Sequence, residues 1–185
     1  MPAKEFPWVY RYEEEGRSGG THFLTKPLLR PVVVVRLEGG HLGSANLVGL
    51  VDSGSDHVVA APWVAQDIGV TPDPEREITL GIGGAPRRVR FADVTIRLFP
   101  PGTGIAEGGY RPETAHEWHT QIGFFTEWLS PPWNVVFGQV GFFDQFTVSF
   151  CRESQALAIT HLSDFDARFP QVSANPSPGP PRFRP

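Results

Sequence analysis

The clearest alternation of apolar and polar positions runs through Ile78, Leu80 and Ile82, breaks at Gly83-Gly84, and resumes at Val89, Phe91, Val94, Ile96 and Leu98. A period of two on both sides of a glycine pair predicts a β-hairpin. Upstream, the β-branched run from Pro31 to Leu37 reads as a strand, Glu38 to Gly43 turns the chain, and Ala45 to Val51 returns. Val58 to Ala60 predicts a further buried strand. Ala61 to Gly69 predicts a short helix, with Pro62 in its first turn and Gly69 at its end. Trp118, Thr120, Ile122 and Phe124 alternate with His119, Gln121 and Gly123, which predicts a strand over 117–125. After Pro131-Pro132, the apolar run from Asn134 to Gly138 reads as a strand ending in glycine. Gly141 to Phe146 suits a short helical turn, and strands are expected over 147–151 and 155–160. Near the start, the spacing of Trp8, Tyr10 and Tyr12 suits a short strand, and the same residues fit a loosely attached arm.

Composition narrows the setting. The 185 residues hold 16 Lys+Arg against 20 Asp+Glu, a net charge of -4. Basic residues are scattered, and Arg87-Arg88-Val89-Arg90 sits in an alternating segment where a solvated strand face explains it, so no nucleic-acid partner is expected. Twenty glycines and 19 prolines fit a loop-rich β domain, while 14 Phe and five Trp can supply a core. Cys151 is the single cysteine, which excludes an internal disulfide and sites built on several thiolates; within its strand it reads as a small structural residue. No apolar run approaches membrane-spanning length, and Met1 to Phe6 lack the apolar region of a signal peptide. The expectation is a cytoplasmic protein with no membrane association.

The chemistry centres on Leu47 to Asp56. An apolar strand delivers Asp52 into a turn of small residues, Ser53-Gly54-Ser55, which exposes a carboxylate and lets another backbone approach. Asp-Ser-Gly alone is also an ordinary turn. With Val58-Val59-Ala60 after it, Gly81-Ile82-Gly83-Gly84 in a hairpin, and Val135-Val136-Phe137-Gly138 before Phe142-Phe143, the order of motifs resembles the retropepsin-like aspartic protease family over residues 31 to 160.

That resemblance implies a mainly β, closed, barrel-like domain with one or two short helices. Asp52 is implied as catalytic, with Ser53, Gly54 and Ser55 supporting its loop. Gly81, Ile82, Gly83 and Gly84 become a flap over the substrate, and Val136, Phe137 and Gly138 the second, hydrophobic-hydrophobic-Gly motif. Aspartic proteolysis uses two carboxylates sharing one proton, and this chain carries one Asp-Ser-Gly. The site would therefore form across a homodimer acting on a peptide or protein substrate, with no metal or cofactor. Ser55 is expected to donate its hydroxyl to Asp52. The family commonly places Arg after the glycine of the second motif, whereas Gln139 stands here and leaves the pairing with Asp56 in doubt.

The expected organisation is an N-terminal arm over 1–26, a domain over 27–163 with an insertion at 99–133, and a Pro-rich disordered tail over 164–185. The insertion fits a lid, a dimer contact or a surface loop. His116 and His119 lack zincin spacing and fall on opposite faces of a strand, and Gly81 to Gly84 lack the lysine of a phosphate-binding loop. Trp63, Trp118, Trp128 and Trp133 read as core or interface packing. Two alternatives stay open: a non-catalytic dimeric peptide-binding or assembly module, and a self-processing precursor.

Overall fold

A strand with one apolar face needs a cover, and here the main sheet covers itself by closing. The computed structural model describes residues 6–14, 29–82, 84–102, 114–129 and 131–168. In chain order the elements are β1 (Trp8–Arg11), β2 (Glu13–Glu14), β3 (Leu29–Arg30), β4 (Val32–Gly39), β5 (Leu42–Gly43), β6 (Leu47–Val51), β7 (Val59–Ala60) and α1 (Pro62–Asp67). They continue with β8 (Glu77–Ile82), β9 (Ala85–Leu98), β10 (His116–Phe125), β11 (Val135–Phe137), β12 (Phe146–Cys151), β13 (Ala156–His161) and α2 (Leu162–Arg168).

The large sheet runs β5-β4-β6-β11-β7-β10-β9-β8, and an added β4–β9 pairing joins its flanks into a ring. Residues Val35 to Glu38 pair with Thr95 to Leu98, so β4 serves both β6 and β9. Most neighbours are antiparallel, but β11 runs parallel to β6 and β7 parallel to β10. The pleat sends Val35 and Leu37 into the ring while Arg36 and Glu38 point outward, which is the alternation the sequence carries. Leu37, Ile96, Ile122, Phe124 and Phe137 are fully buried there, each contributing roughly 2 kcal/mol by leaving water. This mainly β, closed, barrel-like architecture with two short helices is the fold class expected from the sequence.

A second sheet, β1-β13-β12, packs on the same core. Trp8 and Tyr10 are buried, and the Tyr10 hydroxyl donates to the Phe99 carbonyl at 2.7 Å, so the aromatic alternation near the start forms a paired strand. Burial pushes the Tyr10 phenol above its ordinary value of 10.0.

Gly141 to Gln145 form the expected short helical turn, closed by the Gln145 and Phe146 amides donating to the Phe142 carbonyl at 2.9 and 3.1 Å. The second helix is α2, which crosses the boundary expected between domain and tail. Cys151 ends β12 in the open, where hydrogen bonds from Ser154 hold its thiol below the ordinary range. The other residues of the arm, insertion and tail lie partly outside the described residues.

Candidate active site

Asp52 follows directly from β6, whose last residue Val51 is buried and held by its amide donating to the Pro31 carbonyl at 2.8 Å. The Asp52 amide then donates to the Phe137 carbonyl at 3.0 Å, which pins the residue to β11. Past this point the chain turns. The Ser55 amide donates to the Asp52 carbonyl at 3.1 Å, and the Gly54 amide donates to Asp52 Oδ1 at 3.0 Å. Such an Asx turn orients the carboxylate without burying it, and Asp52 is exposed.

The segment after β11 stitches the loop from below. The Gln139 amide donates to the Ser55 carbonyl at 2.8 Å, the Val140 amide to the Asp56 carbonyl at 2.9 Å, and the Val58 amide to the Val140 carbonyl at 3.0 Å. Backbone comes so close here that a Cβ on Gly138 would stand 2.5 Å from the carbonyl oxygens of both Ser55 and His57. That contact explains the glycine physically. Phe137 fills the space above Gly49, where a Cβ would lie 2.3 Å from its ring, and its ring centroid sits 4.6 Å from that of Phe142. Val136 points the other way, toward the carboxylate side.

Two side chains brace the loop, and the first acts differently from expectation. The Ser55 hydroxyl donates to the His57 carbonyl at 2.9 Å, so it braces the loop instead of donating to Asp52. Gln139 Nε2 donates to the Ser53 carbonyl at 2.7 Å, so Gln139 ties down the loop backbone with a neutral amide.

Above the loop lies a cleft of about 310 Å³. Asp52, Gly54, Ser55 and Asp56 form its floor, and Leu80, Gly81 and Ile82 of β8 face them from the hairpin. Gly81 has nothing within 4 Å of where a Cβ would be, and Gly84 adopts a positive φ of 77° at the hairpin turn. Gly83, the other expected flap residue, lies outside the described residues. The hairpin base carries charge pairs: Arg90 Nε donates to Glu77 at 2.7 Å and Arg88 lies 3.4 Å from the same carboxylate. The Arg90 hydrogen bond, joined by the charges of Arg90 and Arg88, holds Glu77 below its ordinary value of 4.5.

The third wall was not legible as such. Trp128, Pro131, Pro132 and Trp133 line the cleft, although the two tryptophans read from sequence as packing and their segment as the end of an insertion. A density of aromatic residues and prolines just before β11 was the available signal. This wall is tied to the hairpin: the Arg87 guanidinium lies over the Trp128 ring at 4.4 Å, Arg88 pairs with Glu127, and the Thr126 amide donates to the Arg88 carbonyl at 3.1 Å. By contrast, His116 packs among Phe6, Phe146 and His161 while His119 is exposed on the opposite face of β10.

The arrangement is a carboxylate presented at the floor of a mostly apolar cleft beneath a β-hairpin, a shape suited to an extended chain. No protein-family model matches this chain, and no curated protein matches it. Among solved structures, it is similar to "EIAV protease complexed with the inhibitor HBY-793" at 17% identity, over 65% of this chain and 88% of that one, with a TM-score of 0.31.

Proposed function

We propose that this chain is a retropepsin-like aspartic endopeptidase that works as a homodimer. The observation that carries the reading is the cleft itself, with Asp52 on its floor opposite Leu80 to Ile82. In the dimer, Asp52 and its copy would share one proton, because two carboxylates in contact resist ionising together. The ionised member takes a proton from water as the water attacks the scissile carbonyl, and the protonated member donates to the carbonyl oxygen. Collapse of the tetrahedral intermediate breaks the C–N bond: the leaving amine takes the proton that the dyad received from water, and a hydroxyl of the intermediate returns a proton to the other carboxylate, restoring the shared proton. The peptide backbone would lie along the β8 edge, with Trp128 and Trp133 receiving apolar side chains. No metal or cofactor enters this chemistry.

Gln139 favours one second reading, a dimeric peptide-binding module without turnover, since it holds the loop without the charged pairing of the family pattern. One experiment separates the two. Purified protein is incubated with denatured casein across acidic and neutral pH, with and without pepstatin, beside Asp52→Asn. Pepstatin-sensitive hydrolysis that vanishes in the mutant, while peptide binding survives, supports the protease. Peptide binding without hydrolysis in the unaltered protein supports the binding module, and hydrolysis retained by Asp52→Asn rejects Asp52 as the catalytic group.

A further inference from the structure

Arg87, Arg88 and Arg90 follow the hairpin turn, and the pleat of β9 divides them between two faces. Arg88 and Arg90 stand opposite Thr79 and Glu77 on the outer face, where both pair with the Glu77 carboxylate and Arg88 also meets Glu127. Arg87 alternates with them. Its cross-strand partner is Leu80, which lines the cleft, and directly opposed residues of an antiparallel pair share a face. The Arg87 guanidinium lies over the ring of Trp128, a second lining residue, at 4.4 Å. Held between these two residues, it stands at the rim of the cleft.

Unlike its two neighbours, this guanidinium has no carboxylate. Among the described residues nothing forms an ion pair or hydrogen bond with it, and its Nε is buried without a hydrogen-bond partner. A charged donor withdrawn from water and left unpaired costs free energy, which an acceptor brought by a ligand would recover. Stacking on the indole fixes the plane of the guanidinium but occupies only its face. The terminal N–H groups stay free to hold a carboxylate through two parallel bonds. Charge around the cleft favours the same ligand position. Asp52 and Asp56 lie on the floor and no Lys or Arg is among the lining residues, so an incoming carboxylate is repelled from the floor and meets a cation at the rim.

We propose that Arg87 is a specificity-determining residue that reads a carboxylate of the peptide, while Trp128 beside it receives a large apolar side chain. This rests on the peptide cleft of the proposed function and names its substrate class: segments that carry Asp, Glu or a free chain end close to a large apolar residue. Residues two apart in an extended peptide point to the same side, roughly 7 Å from each other, so one segment can reach both groups.

Short peptides built around a central phenylalanine, with Glu, Gln or Lys two residues to either side, test this on the full chain. The unaltered protein should favour Glu over Gln about tenfold in kcat/KM, through KM, the usual effect of one hydrogen-bonded charge at a partly open site. Where a peptide is held without being cut, the same ratio is read in Kd by fluorescence anisotropy. Arg87→Gln should bring the ratio close to one, and Arg87→Glu should invert it in favour of Lys. Each ratio compares two peptides on one protein, so a general loss of stability or activity in a variant cancels. The same peptides with free and amidated C-termini separate the two sources of carboxylate: a preference for the free end that disappears in Arg87→Gln supports the inference with the chain end as the group read. Ratios of Glu to Gln and of free to amidated end that are both near one, or a preference that persists in Arg87→Gln, overturn the inference and leave the protease reading standing. A protein that neither cuts nor binds these peptides or casein overturns both.

Discussion

The side-chain amide of Gln139 donates a 2.7 Å hydrogen bond to the carbonyl of Ser53, the residue that follows the exposed carboxylate of Asp52. Sequence separates the two residues by 86 positions, yet this bond and three backbone bonds make the Asp52 loop and the segment after β11 one mechanical unit. Gln139→Ala should lower the unfolding free energy by about 1 kcal/mol, the usual net worth of one hydrogen bond. It should also reduce casein hydrolysis through kcat more than KM, because the loop that aims the carboxylate loosens while the cleft walls stay in place. Urea unfolding and steady-state kinetics on the same preparation check both halves.

Ser55 offers a related test with a different outcome. Its hydroxyl bonds the His57 carbonyl at 2.9 Å, so Ser55→Ala should cost about 1 kcal/mol of stability. The pH optimum of proteolysis should stay where it is. A shift of that optimum toward neutral pH would mean that the hydroxyl turns to Asp52 in the assembled site.

Glu77 makes the hairpin base pH-sensitive. Arg90 and Arg88 hold its carboxyl below 4.5, so the folded protein binds the proton less readily than the unfolded chain. The stabilisation is therefore present above the unfolded value and lost as pH falls through the lowered folded value. Thermal melts of the unaltered protein and Glu77→Gln, compared from pH 7 downward, should differ at neutral pH and converge in acid.

Trp128 connects the hairpin to the third wall. Stacking of a guanidinium on an indole at a partly exposed site is worth about 0.5–1 kcal/mol, and the ring also lines the cleft. Trp128→Ala should thus raise KM for peptides with large apolar side chains more than it lowers stability. Arg87→Gln should leave the ring in place and shift its fluorescence, since the cation over the indole is gone. Peptide kinetics and tryptophan emission spectra distinguish the two effects.

The local readings succeeded where physics is local. Alternation at Ile78 to Leu98 gave a hairpin because the pleat alone decides which side chains share a face, and Pro62 and Gly69 bounded α1 because their backbone preferences act within one turn. The helical turn at Gly141 to Gln145 was legible for the same reason, since its hydrogen bonds to the Phe142 carbonyl close within four residues.

What the sequence by itself determined is the inventory: a strand ending at Asp52, a turn of small residues, a glycine hairpin, and an apolar strand ending at Gly138. Only the tertiary structure decided which of these meet. Ring closure through β4 and β9 depends on pairings between residues some 60 positions apart. The placement of Gly138 under the carbonyls of Ser55 and His57 and the recruitment of Trp128 and Trp133 to the cleft are likewise meetings of segments distant in sequence, whereas the Ser55 hydroxyl turns to a carbonyl only two residues on. Periodicity tells which face a residue joins, but only packing tells which surface that face will meet.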